Sequence, residues 1–224
     1  TGTMTNMDVA DFGAWGQGKI GKYAIEFVGS MDATTGEGWV SASAAANTAL
    51  GTLTNNFTLA GWYRFANPGG NTYSAMITNR GGVGPVGWTL TRAGSSGAGT
   101  AANKIGFLLQ GGSYKYWHED SQSGEEWVHI VCGIDGGSPF IYKNGSAQSG
   151  EYGTGTPDIS SGTPGIINFG RLQTEGTYDG MYASGSMDEV SIWDGVLSTD
   201  NITSLAAGSK ANAITASSAD AGNW

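Results

Sequence analysis

Two turn signals set one strand length apart constrain this chain most. From Glu126 to Gly145 it reads EWVHIVCGIDGGSPFIYKNG. Trp127, His129 and Val131 alternate with Val128, Ile130 and Cys132, a period of two that sorts side chains onto the two faces of a strand. Asp135-Gly136-Gly137 breaks the run, and Phe140-Ile141-Tyr142 opens another. Asn144-Gly145 then supplies residues that tolerate positive φ in a tight hairpin turn. The segment therefore predicts strand, turn, strand, turn.

The same alternation recurs along the chain. Lys22 to Val28 places Tyr23, Ile25 and Phe27 on one face. In Phe57 to Phe65, FTLAGWYRF, Phe57, Leu59, Tyr63 and Phe65 share one face and Thr58, Trp62 and Arg64 the other. Strands are also predicted at Ser74 to Asn79, Trp88 to Arg92, Lys104 to Leu109, Ile166 to Gly170 and Gly185 to Trp193. Tyr114 to His118 is an aromatic strand or loop. With 39 glycines in 224 residues the material for many tight turns is present. Ser198 is placed to N-cap one short helix, Thr199 to Ala207, whose apolar side is Ile202, Leu205 and Ala206 and which Gly208 closes. Residues 1–18 read as an irregular lead-in, Ser43 to Thr52 and Glu151 to Gly165 as loops, and 209–224 as a linker-like tail.

Charged residues are scarce (13%) but aromatics reach 11%, which argues for a packed domain rather than disorder. The formal charge is −9 with no cluster of Lys or Arg, so no nucleic-acid partner is expected. An acidic surface is one reading of that charge; carboxylates that gather a divalent cation are the other. No apolar run is long enough to cross a membrane as a helix, so no membrane insertion is expected. The single cysteine, Cys132, sits on an alternating strand as a small core residue and allows no internal disulfide. The chain starts at Thr1 and ends at Trp224 as a processed product or a unit cut from a longer polypeptide would, which is the expectation for its origin.

The order Trp127, His129, Asp135-Gly136, Tyr142, Asn144-Gly145 resembles the laminin-G-like, concanavalin A-like jelly-roll domains. Further phrases agree: Gly21, Ala24, Ile25, Phe27 and Gly29 early, Phe57 to Trp62 in the middle, Phe169-Gly170, and Gly185 to Trp193 late. Val28 stands where the family often has Asp. The resemblance covers roughly residues 19–208 and implies an all-β fold, a two-sheet antiparallel jelly-roll sandwich with one short C-terminal helix. It also implies a hydrogen-bonded structural role for His129 beside Trp127. First and last strands pair in the family, which would bring Asp32 and Asp188 to one edge as a calcium site completed by backbone carbonyls. The competing role for Asp188 is to pair with Arg171 or cap a turn.

Catalytic groups do not assemble in the sequence. The E-x-D-x-x-E run of glycosidases on this fold is absent. Glu119-Asp120 and Glu125-Glu126 flank a Ser-Gly turn as solvated charges, and neither histidine has a nucleophile context. The chain is expected not to be an enzyme. Exposed aromatics are the other candidates, because sugars stack on Trp and Tyr faces. Trp88, Tyr114, Tyr116 and Trp117 form the expected platform, with Tyr178 and Tyr182 in a late loop; each could instead be core packing. The Gly/Ala/Ser/Thr-rich, Lys-poor style resembles modules of marine tailed-phage structural proteins. That implies a decoration or fibre component on the virion surface, contacting other virion proteins or copies of itself, with surface polysaccharide as a further expected partner. The alternative is a carbohydrate-binding module of a secreted bacterial enzyme or adhesin; a glycoside hydrolase is a distant third.

Overall fold

The computed structural model describes residues 2–5, 15–27, 39–42, 56–66, 73–80, 86–94, 103–111, 113–118, 125–159, 165–172 and 181–214. Two antiparallel sheets face each other, as the alternation requires. One has eight strands in the order β1 (Gly2–Thr5), β4 (Trp39–Ala42), β14 (Asn168–Phe169), β6 (Tyr73–Thr78), β7 (Gly87–Ala93), β8 (Ile105–Gly111), β9 (Ser113–His118) and β13 (Gly150–Thr154). The other has seven: β12 (Ser146–Ala147), β11 (Ser138–Lys143), β10 (Val128–Asp135), β5 (Phe57–Phe65), β17 (Gly185–Trp193), β3 (Tyr23–Phe27) and β2 (Trp15–Gln17). A two-stranded ribbon, β15 (Arg171–Leu172) with β16 (Met181–Tyr182), pairs with neither sheet and packs against β6. The jelly-roll sandwich is as the sequence predicts.

Strand parity builds the core. Phe57, Leu59, Tyr63 and Phe65 point inward from β5, and Val128, Ile130, Cys132 and Ile134 from β10. They meet Trp88 and Leu90 of β7 and Ile105, Phe107 and Leu109 of β8. Cys132 is fully buried among them, a core residue as expected.

The opposite face of the seven-stranded sheet carries a second, smaller core. Ala60, Val131 and Trp193 are roofed by Leu197, by Ile202 and Leu205 of helix α1 (Thr199–Ala206), and by Ala211 and Ile214. The helix starts where Ser198 Oγ accepts from the Asn201 N–H at 3.3 Å. It ends before Gly208, whose φ of 98° suits glycine. The tail expectation is corrected in part: Ala211 and Ile214 are buried against the sheet, so the packed unit runs past residue 208.

Three further expectations change. The lead-in is not irregular throughout, because 2–5 pairs with β4 and 15–17 with β3. The Gly/Thr loop after residue 150 begins with β13, an edge strand held on β9 and tied by a 2.7 Å ion pair from Lys115 to Glu151. Edge strands need no hydrophobic alternation, so the pattern does not announce them. The predicted strand over 166–170 is only Asn168–Phe169, because Gly170 at φ 82° turns the chain into the separate ribbon. Ser43 to Thr52 lies outside the described residues.

Candidate functional site

The outer face of the seven-stranded sheet is graded in rows set by strand register. Nearest the helix the row is apolar: Tyr142, Val131, Ala60 and Ser191 lie opposite one another on β11, β10, β5 and β17. The next row is His129, Trp62 and Asp188. It is buried beneath the turn at residues 18–22. Lys19 Nζ sits 4.8 Å from the Trp62 ring centroid. The Ile20 backbone N–H donates to Asp188 Oδ2 at 2.7 Å. A Cβ on Gly208 would lie 3.4 Å from Ile20 Cδ1, so the turn also reaches the end of α1.

The last row is open at Trp127, Arg64 and Glu26, while its Ser186 is buried. Ser186 of β17 lies opposite both Arg64 of β5 and Glu26 of β3. Trp127 immediately precedes β10, whose first residue, Val128, faces Tyr63. Arg64 Nη2 donates to Glu26 Oε1 at 3.3 Å and to Ser186 Oγ at 3.2 Å. Its guanidinium carbon is 6.0 Å from the Trp127 ring centroid. The Arg64 and Glu26 side chains are 41% and 31% exposed, and Trp127 is half-buried. An aromatic ring, a guanidinium, a hydroxyl and a carboxylate thus line up across four strands. An ion pair this exposed contributes little stability, on the order of 0–1 kcal/mol.

A second arginine is framed by rings near the ribbon. The Arg171 guanidinium lies 4.4 Å from the Trp39 ring centroid and 5.7 Å from that of Tyr182. Arg171 and Tyr182 are cross-strand partners, which fixes that contact. Arg171 is therefore not the partner of Asp188; Asp188 takes the other expected role, capping the turn at residues 18–22 through the Ile20 N–H.

The aromatic platform expected from sequence does not form as drawn. Trp88 is fully buried, with Phe57 and Phe107 at 5.5 and 6.1 Å, because it shares the inward parity of Leu90. Trp117 is half-buried and packs on the same core, opposite Phe107. Tyr114 and Tyr116 are opposite Gln110 and Leu108 on β9; their side chains lie outside the described part of the structure. Tyr182 is half-buried beside Trp39, and Tyr178 is outside the described residues. For calcium, β3 and β17 pair as the resemblance implied, Phe27 opposite Gly185. Asp188, however, is buried and bonded to a backbone N–H, so its oxygen is committed to the protein. Asp32 lies outside the described residues. Among the described residues no three His, Cys, Asp or Glu gather closely enough to hold a metal ion.

His129 departs from its expected role. Its ring packs on Trp62, centroids 5.2 Å apart, not on Trp127, and its buried Nδ1 has no hydrogen-bond partner. Burial lowers its pKa to about 4. The hydrogen bond belongs to its backbone: the His129 N–H donates to Asn144 Oδ1 at 2.9 Å. The residues of this row that sequence reasoning did not single out as a site are Trp127, Arg64, Ser186 and Glu26. The available signal was parity: Arg64 is the one charged residue in the outward set of β5, alongside Trp62.

A family model described as the concanavalin A-like lectin/glucanases superfamily (Laminin_G_3) matches residues 34–203. This chain belongs to that family. No curated protein matches it in sequence. Among solved structures it is similar to domain 4 of AbnA, an extracellular GH43 arabinanase from Geobacillus stearothermophilus, in complex with arabinotriose. That pair has a TM-score of 0.62 and 20% identity over 92% of this chain and 87% of the other. It is also similar to the receptor-binding domain of a botulinum neurotoxin C/D mosaic serotype (TM-score 0.59, 15% identity, 86% of this chain and 44% of the other). Botulinum neurotoxin type C, described as entering cells through two ganglioside molecules, gives 0.55 and 13% over 92% and 46%. The chain spans less than half of those toxin chains. At these identities the likeness establishes the lectin/glucanase-like fold. Among the described residues no helix is long and apolar enough to cross a membrane.

Proposed function

We propose that this domain is a non-catalytic module that binds glycans through the open row of its seven-stranded sheet. The observation that carries the reading is the alignment of Trp127, Arg64 and Glu26 on one accessible face, with Arg64 also donating to the buried Ser186 hydroxyl beneath it. A sugar ring offers an apolar C–H face to an aromatic ring and hydroxyls to planar polar groups, and this row presents both. The similar domains named for arabinotriose and gangliosides make a glycan partner the natural first choice. Hydrolysis would need a carboxylate pair free to flank a scissile bond. Here Glu26 is the one carboxylate in the row, and Asp188 is buried under the turn at residues 18–22.

The test is a polysaccharide pull-down followed by calorimetry on Trp127→Ala. Binding is expected to be lost, with melting within about 4 °C of wild type, because the ring is half-exposed and outside both cores. Unchanged binding in that variant would overturn the assignment. So would polysaccharide hydrolysis that disappears in Glu26→Gln.

The wider setting we propose is the surface of a phage particle, with the module serving as a decoration or fibre component. Its support is the Gly-, Ser- and Thr-rich, Lys-poor composition. Electron microscopy of the native source decides this: regular copies on a virion sustain it, whereas a secreted, enzyme-linked chain replaces it with the carbohydrate-binding-module setting.

A further inference from the structure

We infer that the ligand of the open row is a neutral sugar bearing a vicinal diol, and that the row rejects acidic glycans. This rests on the binding reading above and adds the ligand class. Arg64 spends one nitrogen, Nη2, on both Glu26 Oε1 and Ser186 Oγ. A guanidinium carries five N–H donors. The hydrogens on Nε and Nη1 have no acceptor among the described residues, and Glu26 Oε2 has no donor. An open donor edge therefore lies beside an open acceptor. A vicinal diol fits that pair, one hydroxyl accepting from Arg64 and its neighbour donating to Glu26, while Trp127 takes the ring's apolar face.

Charge disfavours an anion. The row holds one guanidinium, Arg64, against Glu26, and exposed Glu125 and Glu126 lead directly into Trp127. The carboxylate of Glu26 therefore stands directly beside the one guanidinium of the row. In the covered row Lys19 and Asp188 balance each other, and the chain as a whole carries −9. A uronate drawn to Arg64 would have to sit against Glu26, a like-charge contact that the hydroxyls of a neutral sugar avoid. The size of the site follows from the same rows. With the neighbouring row closed by residues 18–22, the open one spans three inter-strand spacings, about 14 Å. That is room for a short oligosaccharide lying across the strands.

The experiment is calorimetry with mannan and arabinan as neutral probes and polygalacturonate as the acidic one, at about 50 and about 500 mM NaCl. The expected result is binding to a neutral probe that does not change with salt. Glu26→Gln and Arg64→Lys should each weaken it about tenfold while melting temperature stays unchanged. Preference for polygalacturonate, weakening with salt and strengthened by Glu26→Gln, would overturn the ligand class and leave the binding reading standing. If no probe binds and Trp127→Ala changes nothing, the binding reading falls and the ligand class falls with it.

Discussion

At the scale of single residues, His129 shows how much burial alone can do. Its ring is packed against Trp62, and the imidazole titrates near 4 rather than 6.5. Between those values the unfolded chain binds the proton and the folded one does not, so stability rises with pH across that window. The contribution is complete above about pH 6.5 and is lost as pH falls toward 4, by up to about 3 kcal/mol. Urea melts at pH 7 and pH 5 should show the loss, and His129→Phe should remove most of the difference. An unchanged pH dependence in that variant would assign the effect to carboxylates instead. Asp188 is the matching case for a buried acid. Replacing it with Ala leaves the Ile20 N–H without its acceptor, a loss of about 1–3 kcal/mol. Hydrogen exchange should register it as faster exchange at Ile20, and Asp188→Asn, which retains an acceptor, should lose less.

Among the elements, the hairpin between β11 and β12 carries the tightest local requirement. Asn144 has φ 50° and Gly145 φ 83°, the paired positive values of a two-residue turn that matches strand twist. Asn144 serves twice, because its side chain also anchors the start of β10 through the His129 N–H. Gly145→Ala is expected to cost about 1 kcal/mol from backbone strain, since its new Cβ would meet Ala206 of the helix only at ordinary contact distance, 3.4 Å. Asn144→Ala should cost more than Asn144→Gly, since only the former forfeits both the anchor and the easy φ. Thermal melts of the three variants give the order directly.

For the molecule as a whole, helix α1 is a roof. Beneath it lie Trp193, Val131 and Ala60, outward residues of a sheet whose other face already fills the main core. A chain ended after Leu197 should expose that apolar patch, bind a hydrophobic dye and melt at least about 8 °C lower. A truncated chain that melts like the intact one would show that the small core contributes nothing. The open row lies two rows from the roof, so Ser198→Ala, expected to cost about 1 kcal/mol through the lost cap, should leave glycan affinity unchanged.

Much of this fold was legible because strands advertise themselves through alternation and glycine-rich turns. Phe57 to Phe65, Val128 to Asp135 and Gly185 to Trp193 fall where the pattern puts them. The cap of the helix and the Asn144-Gly145 turn are local chemistry, and local chemistry is visible in sequence. The functional surface was legible only in part. Alternation says that two faces exist but not which one a tryptophan meets, so Trp88 could be taken for a platform although it lies at the centre of the core. Register between strands far apart in the chain placed Glu26, Arg64, Ser186 and Trp127 in one row, and no local pattern encodes that alignment. The turn at residues 18–22 decided the rest: by covering Trp62, His129 and Asp188 it left one row open. The sequence by itself determined where strands and turns form, because those depend on near neighbours; only the tertiary structure decided which side chains share a surface, because that depends on contacts between residues far apart in the chain, from 38 positions for Glu26 and Arg64 to 168 for Ile20 and Asp188.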